Sequence, residues 1–224
     1  RGHKDLPVRQ QTIRAAIEWS FSLLDEETQR FLVRLSIFRA GWSMEAAEAI
    51  CMDGLNGDAF EMMEKLTDMS LIYPVFLNDH QELTRFNILN TVWEFAREKF
   101  IQLSEGAEIR EKYRRYFVDL LEESEPKTWT SQRDAVFDLI EIDGYNFREA
   151  ADISRQCGDH IASWKTLGNL SQFWLYRGHI SEALDMLEKS GINTDPNEEN
   201  LDIPELVQAK AFRAVAVLCY YSGQ

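Results

Sequence analysis

Four histidines, three cysteines and the hydroxyl residues are the side chains of this 224-residue sequence with which a reaction would have to be run. His3 and His80 fall in polar stretches that read as loops, while His160 and His179 fall just before or at predicted helix starts. None stands at a zinc-ligand spacing from a Cys, Asp or Glu. No Ser or Cys sits in a nucleophile elbow or has a recognisable histidine partner. No glycine-rich phosphate loop occurs, and Gly54-Leu55-Asn56-Gly57 reads as a turn. Cys51, Cys157 and Cys219 are odd in number, far apart, and each in or beside an apolar helical pattern, which suits buried free thiols of a cytosolic protein. The chain is expected to hold no catalytic residue, no metal and no cofactor of its own.

The elements that would position binding residues are legible. Thr12 is a good N-cap, followed at helical spacing by Ile13, Ala16, Ile17 and Phe21. Asp25 caps a second helix with Glu26 and Glu27 in its first turn, where the helix dipole favours negative charge. Phe31, Leu32, Leu35 and Phe38 form its buried stripe. Ala40-Gly41 ends it, Ser43 starts a third helix, and a Gly/Asn turn at 53–57 leads to a fourth through Phe60, Met63 and Leu66. Leu71–Leu77 and Leu83–Ile88 read as a hairpin turning at Asn78-Asp79. In RFNILNTVWEFAREKF, residues 85–100, Phe86 and Ile88 share a strand face, and Asn90 and Thr91 are suited to start the next helix. Helices plus one hairpin over 1–105 describe a winged-helix module.

From Gly106 only helices are predicted, at Ala107–Glu123, Asp134–Ile142, Tyr145–Cys157, Ile161–Tyr176, Ser181–Ser190 and Pro204–Tyr221, punctuated by Gly144, Gly158, Gly178 and Gly191. Leu170, Trp174, Gly178, Ala183 and Leu187 fit the tetratricopeptide pattern. Pro196 lies one residue late, and the polar insert Ile192–Asp202 lengthens the spacing to Gly223. The expected fold is therefore mainly α: a winged-helix domain with a small β-hairpin (1–105), then an α-α superhelix of tetratricopeptide-like hairpins (106–224). Such units bury their faces by stacking, so the chain is expected to be an excised piece that continues beyond Gln224. In that register Lys165, Gln172 and Tyr176 face a groove suited to a protein or peptide partner; the alternative is that they are solvated or packed by a following repeat.

Net charge is −14. Residues 1–105 carry 11 cationic against 17 acidic side chains, and residues 106–224 carry 13 against 21. A phosphate-binding surface needs clustered positive charge, so direct nucleic-acid binding is not expected. No apolar run reaches the length of a membrane span, and the opening RGHKDLPVRQ is too polar for a signal peptide. A cytoplasmic protein without a membrane partner is expected.

Taken in order, these residues resemble a family. Arg9, Thr12, Arg14, Ala16, Trp19, Ser20, Leu23 and Leu24 carry a pattern similar to that following the nucleotide-binding domain in bacterial STAND-type ATPases of the LuxR and AfsR regulator kind. The likeness continues through Leu35, Phe38, LTDMSL (66–71), residues 85–100, Tyr145–Ala150 and Trp174–Glu182. It implies a winged helix that packs on a nucleotide-binding domain of the same protein, and tetratricopeptide-like helices that receive a signal. ATP-for-ADP exchange, in a domain outside this chain, would switch the whole. Departures from the pattern are Trp42 in FRAGW, where a flexible glycine is usual, Trp93, Asp143 and Leu89. In NB-ARC relatives a Met-His-Asp motif opens the helix that here follows Ile88-Leu89-Asn90. Leu89 has no donor for a phosphate, which leaves Asn90 as a weak nucleotide-sensing candidate. A DNA-binding winged-helix regulator with a helical dimerisation tail, and a stand-alone peptide-binding repeat protein, are the alternative readings.

Overall fold

The computed structural model describes residues 8–76, 84–190 and 203–222. The described residues are mainly helical, with ten α-helices and one small three-stranded antiparallel sheet, and the chain divides into two compact units, 1–113 and 114–224. The division falls inside helix α6 (Gly106–Ser124).

The first unit contains α1 (Val8–Ser22), α2 (Glu26–Leu35), β1 (Trp42–Ser43), α3 (Met44–Cys51), α4 (Ala59–Asp68), β2 (Ile72–Phe76), β3 (Thr84–Ile88), α5 (Asn90–Ile101) and the start of α6. From α2 onward, the order helix, strand, two helices, hairpin is that of a winged helix. Each entry into these helices has a local cause. Asp25 accepts the Thr28 amide at 2.9 Å, Ser43 that of Ala46 at 3.2 Å, and Asp58 those of Phe60 and Glu61 at 2.8 and 3.1 Å. Helix α1 begins four residues before Thr12, because Arg9, Gln10 and Gln11 are good helix formers with no breaker among them. The extended lead-in at Leu6-Pro7, the hairpin turn at Asn78-Asp79 and the insert at 192–202 lie outside the described residues.

Strand β3 is central, flanked by β1 and β2 with the pairs Trp42↔Phe86 and Ile72↔Ile88. A two-residue strand leaves no alternation to read, so β1 shows only through its partner. Gly41 has φ +84°, and a Cβ there would stand 2.7 Å from the Phe86 carbonyl oxygen, which is why the chain carries glycine where it enters the sheet. Trp42 was expected in a flexible place and is instead fully buried, its ring 5.4 Å from that of Phe38. The core around them includes Phe31, Leu35, Ile50, Met63, Leu66, Phe95 and Tyr113. Buried Arg34 of α2 closes the C-terminal end of α3: Nη1 donates to the carbonyls of Cys51 and Asp53, each at 2.7 Å, and Nη2 to Glu105 at 3.1 Å. Those carbonyls face the unsatisfied, negative end of a helix, where a cation is favoured.

The second unit contains the rest of α6, a 3₁₀ turn (Glu125–Trp129), α7 (Arg133–Gln156), α8 (His160–Arg177), α9 (Ile180–Ser190) and α10 (Glu205–Ser222). Helix α7 runs unbroken through Gly144, where two helices were expected. A helical glycine costs only about 1 kcal/mol, and the stripe Phe137, Ile140, Phe147, Ala150 and Ser154 is buried on both sides of it. Helix α8 is central and packs on α7, α9 and α10. Its entry is capped by Asp159, which accepts the Ala162 amide at 3.0 Å, and it ends at Gly178 in the left-handed conformation, φ +79°. Trp164 packs with Ile203, Val207 and Ala211, and a Cβ on Gly168 would lie 2.9 Å from Lys210 Cβ, so α8 and α10 touch backbone to backbone there. All three cysteines are free, but only Cys51 is buried; Cys157 is exposed at the end of α7 and Cys219 is half-buried. Burial pushes the Cys51 thiol far up, which keeps it protonated and inert.

Candidate functional site

Helices α3 and α4 with the turn 52–58 between them form a helix-turn-helix, of which α4 is the second helix, the one that enters a DNA groove in proteins of that design. Its inner face, Ala59, Met62, Met63 and Leu66, is buried. Its outer face presents Phe60, 64% exposed, with Glu61, Glu64, Lys65 and Asp68. Lys65 is paired with Asp25 at 3.1 Å. The Thr28 amide, above all, and the Lys65 contact hold the Asp25 carboxyl at about 2 against the opposing effect of burial. The amides at the start of α4 are already taken by Asp58. This outer face is apolar at one point and acidic around it.

Arg85, the cation of the expected wing, lies on central strand β3 opposite Val75 and Ser43 and is only 7% exposed. At the start of α5, Leu89 is the N-cap residue and is 51% exposed, and Asn90 is the first helical residue rather than the cap. The Asn90 side-chain amide donates to Glu94 at 2.9 Å on the surface. Trp93 turns inward and donates to the Phe38 carbonyl at 2.9 Å, with the Arg39 guanidinium 5.2 Å from its ring. An open cleft of about 200 Å³ lies between α1 and α5, lined by Ile13, Arg14, Thr91, Phe95 and Glu98.

In the second unit, Lys165, Gln172 and Tyr176 lie along one side of α8, spread over about 16 Å at 1.5 Å per residue. They do not converge on one pocket. Lys165 is paired with Glu122 at 2.8 Å. Gln172 is half-buried. Tyr176 is exposed, its ring 5.7 Å from Phe137 and 4.6 Å from the Arg133 guanidinium. Asn90 belongs to the other unit.

A further polar cluster has no motif in the sequence. Glu125, nearly buried in the 3₁₀ turn, accepts from Lys210 of α10 at 2.8 Å and from the Trp129 indole at 3.2 Å, and Arg213 lies 3.7 Å away. Burial is the largest single influence and opposes its charge, but the hydrogen bonds from Lys210 and Trp129 and the charges of Lys210 and Arg213 together outweigh it, so its carboxyl is held below the usual range. The partners are 85 residues apart, and no local spacing could have paired them. Among the described residues there is no cluster of three or more metal-ligating side chains and no helix long and apolar enough to cross a membrane.

No family model matches the chain, and no solved structure matches it. Among curated proteins, an HTH-type transcriptional regulator of Mycobacterium tuberculosis and one of Mycobacterium bovis, so named provisionally, are each 32% identical to it over 214 residues, 94% of this chain and 23% of the regulator. An uncharacterized protein of Mycobacterium tuberculosis is 26% identical over 110 residues, 48% of this chain and 27% of that protein. The chain thus spans about a quarter of the length of the curated relatives it matches. Their similarity overturns one expectation. Relatives named for a DNA-binding element match nearly the whole chain, so the expectation of no direct nucleic-acid partner does not stand. It rested on net charge, which records the balance of the whole surface, whereas contact with phosphate needs only a local cluster of cations.

Proposed function

We propose that this chain is a segment of a helix-turn-helix transcriptional regulator that acts on duplex DNA in the cytoplasm. The observation that carries this reading is the similarity to such regulators over 94% of the chain, together with the winged-helix order of α2 to β3. In this reading α3 and α4 supply the helix-turn-helix and the second unit supplies the helical tail. Because Glu61, Glu64 and Asp68 surround Lys65 on α4, most of the phosphate-neutralising charge comes from outside this segment. The full-length protein should shift duplex DNA, with affinity falling steeply as salt rises. Absence of any duplex binding by the full-length protein at low salt would discard the reading.

A second, finer reading is favoured by the ordered motif series and by the exposed face of α4. It makes the segment the coupling part of a nucleotide-switched regulator: the winged helix docks on a nucleotide-binding domain outside this chain, where ATP and ADP are exchanged. Helices α8 to α10 then take up a protein or peptide signal through Lys165, Gln172 and Tyr176. The chain itself carries out no reaction and binds no cofactor. Calorimetry with ATP separates the two units of function: micromolar binding by the full-length protein and none by the 224-residue chain is expected, and micromolar binding by the chain alone would refute it.

A further inference from the structure

His179 stands at the junction of two helices in the second unit. Its backbone N–H donates to Trp174 O of α8 at 3.1 Å, and its carbonyl accepts the Ala183 amide of α9 at 3.1 Å. Its ring lies flat against Phe173, with centroids 5.1 Å apart and planes 15° apart, and this stack sets the plane of the ring. Nε2 is 3.3 Å from Oε1 of Glu141 on α7, and Nδ1 is 3.9 Å from Oε2 of Glu182 on α9. One ring thus faces carboxylates from two different helices, one at each nitrogen.

A neutral imidazole has a single N–H and can donate to one carboxylate; an imidazolium has two and can donate to both. We infer that His179 is a proton-responsive clasp: neutral, it has one N–H to offer to one of these carboxylates, and on taking a second proton from solvent it becomes an ion-pair partner of both, tying α7 to α9. Histidine is the side chain that makes this change within the physiological range. Glu141 makes no other ion pair among the described residues, while Glu182 is shared with Arg148 of α7 at 2.7 Å. Arg177 of α8 is spent on Asp138 of α7 at 2.5 Å. The helix ends oppose each other, the C-terminus of α8 favouring a cation and the N-terminus of α9 disfavouring one. The proton therefore adds a second tie between α7 and α9, and the α8–α9 hairpin is held more firmly on α7 in mildly acid solution.

Thermal unfolding of the 224-residue chain tests this, with His179→Gln, Glu141→Gln and the double variant at pH 5.5 and pH 7.5. At pH 5.5 each single substitution should lower the midpoint by about 2 °C, and the double variant should be no lower than either single. At pH 7.5 the single effects should shrink to less than half. Glu141→Gln leaves the imidazole and its stack on Phe173 in place, so a purely packing role for the ring would leave that variant unchanged. Additive effects of the two substitutions, or the same coupling at both pH values, would overturn the inference.

Discussion

The guanidinium of Arg34 on α2 donates to the carbonyl oxygen of Cys51, the last residue of α3, at 2.7 Å in a buried setting. The same nitrogen reaches the Asp53 carbonyl, so one side chain both closes α3 and shapes the turn into α4. The helix-turn-helix angle rests on a contact between helices that the sequence separates by 17 residues.

Arg34→Met keeps the length of the side chain and removes its donors. It leaves the buried Cys51 carbonyl, the partly buried Asp53 carbonyl and Glu105 without that partner, and should cost about 3 kcal/mol. Urea unfolding followed by far-ultraviolet circular dichroism measures it; a loss below about 0.5 kcal/mol, the range of ordinary surface substitutions, would mean that water replaces the clamp.

Gly168→Ala should destabilise the second unit through α10 alone. The added methyl meets Lys210 Cβ at 2.9 Å and the Ala211 nitrogen at 3.2 Å, neither of which is the end of a flexible side chain. Overpacking of this kind costs about 1–3 kcal/mol. Amide exchange should accelerate along 205–222 and stay unchanged in β3.

The Arg30 guanidinium hydrogen-bonded to Glu105, at 2.8 Å, is the main reason its carboxyl is held at about 2 in the folded chain. An unfolded Glu titrates near about 4.3. A carboxyl with a depressed folded pKa adds stability above the unfolded value, and that stability is lost as pH falls toward the folded one. Glu105→Gln should therefore be less stable than the parent at pH 6, and the two unfolding midpoints should converge as pH falls to about 2. Parallel curves would remove Glu105 from the account.

If α4 meets DNA, reversing its charge should strengthen that contact. Glu61→Lys with Glu64→Lys in the full-length protein should tighten duplex binding about tenfold at low salt, and steepen the logarithmic salt dependence by about 2. No change in either quantity would place the DNA contact away from α4.

Much of the local structure was readable from particular residues. Asp25 and Ser43 announce their helices because a short side-chain oxygen before an apolar stripe satisfies amides that nothing else reaches, while Asp58, which caps α4 in the same way, went unread beside the turn at 53–57. The hairpin strands were placed within a residue or two of Ile72–Phe76 and Thr84–Ile88. Gly144 misled, since a glycine reads as a stop but is tolerated when the buried stripe continues past it. Trp42 misled in the opposite sense: a position associated with flexibility became a core position once its ring met Phe38. Among the candidate binding residues, Lys165, Gln172 and Tyr176 do share one side of α8, as their spacing requires, but spacing could not reveal that Glu122 and Arg133 already touch two of them.

The sequence by itself determined the mainly helical class, the caps, the hairpin and the acidic balance, because these depend on neighbours within about four residues or on composition. Only the tertiary structure decided that Arg34 closes α3, that Glu125 is tied to Lys210, that Gly168 lets α8 meet α10, and that His179 lies between Glu141 and Glu182. Three of these join residues far apart along the chain, and the fourth sets one ring against two helices. Their energies come from burial and charge at short range, which no periodicity along the sequence records.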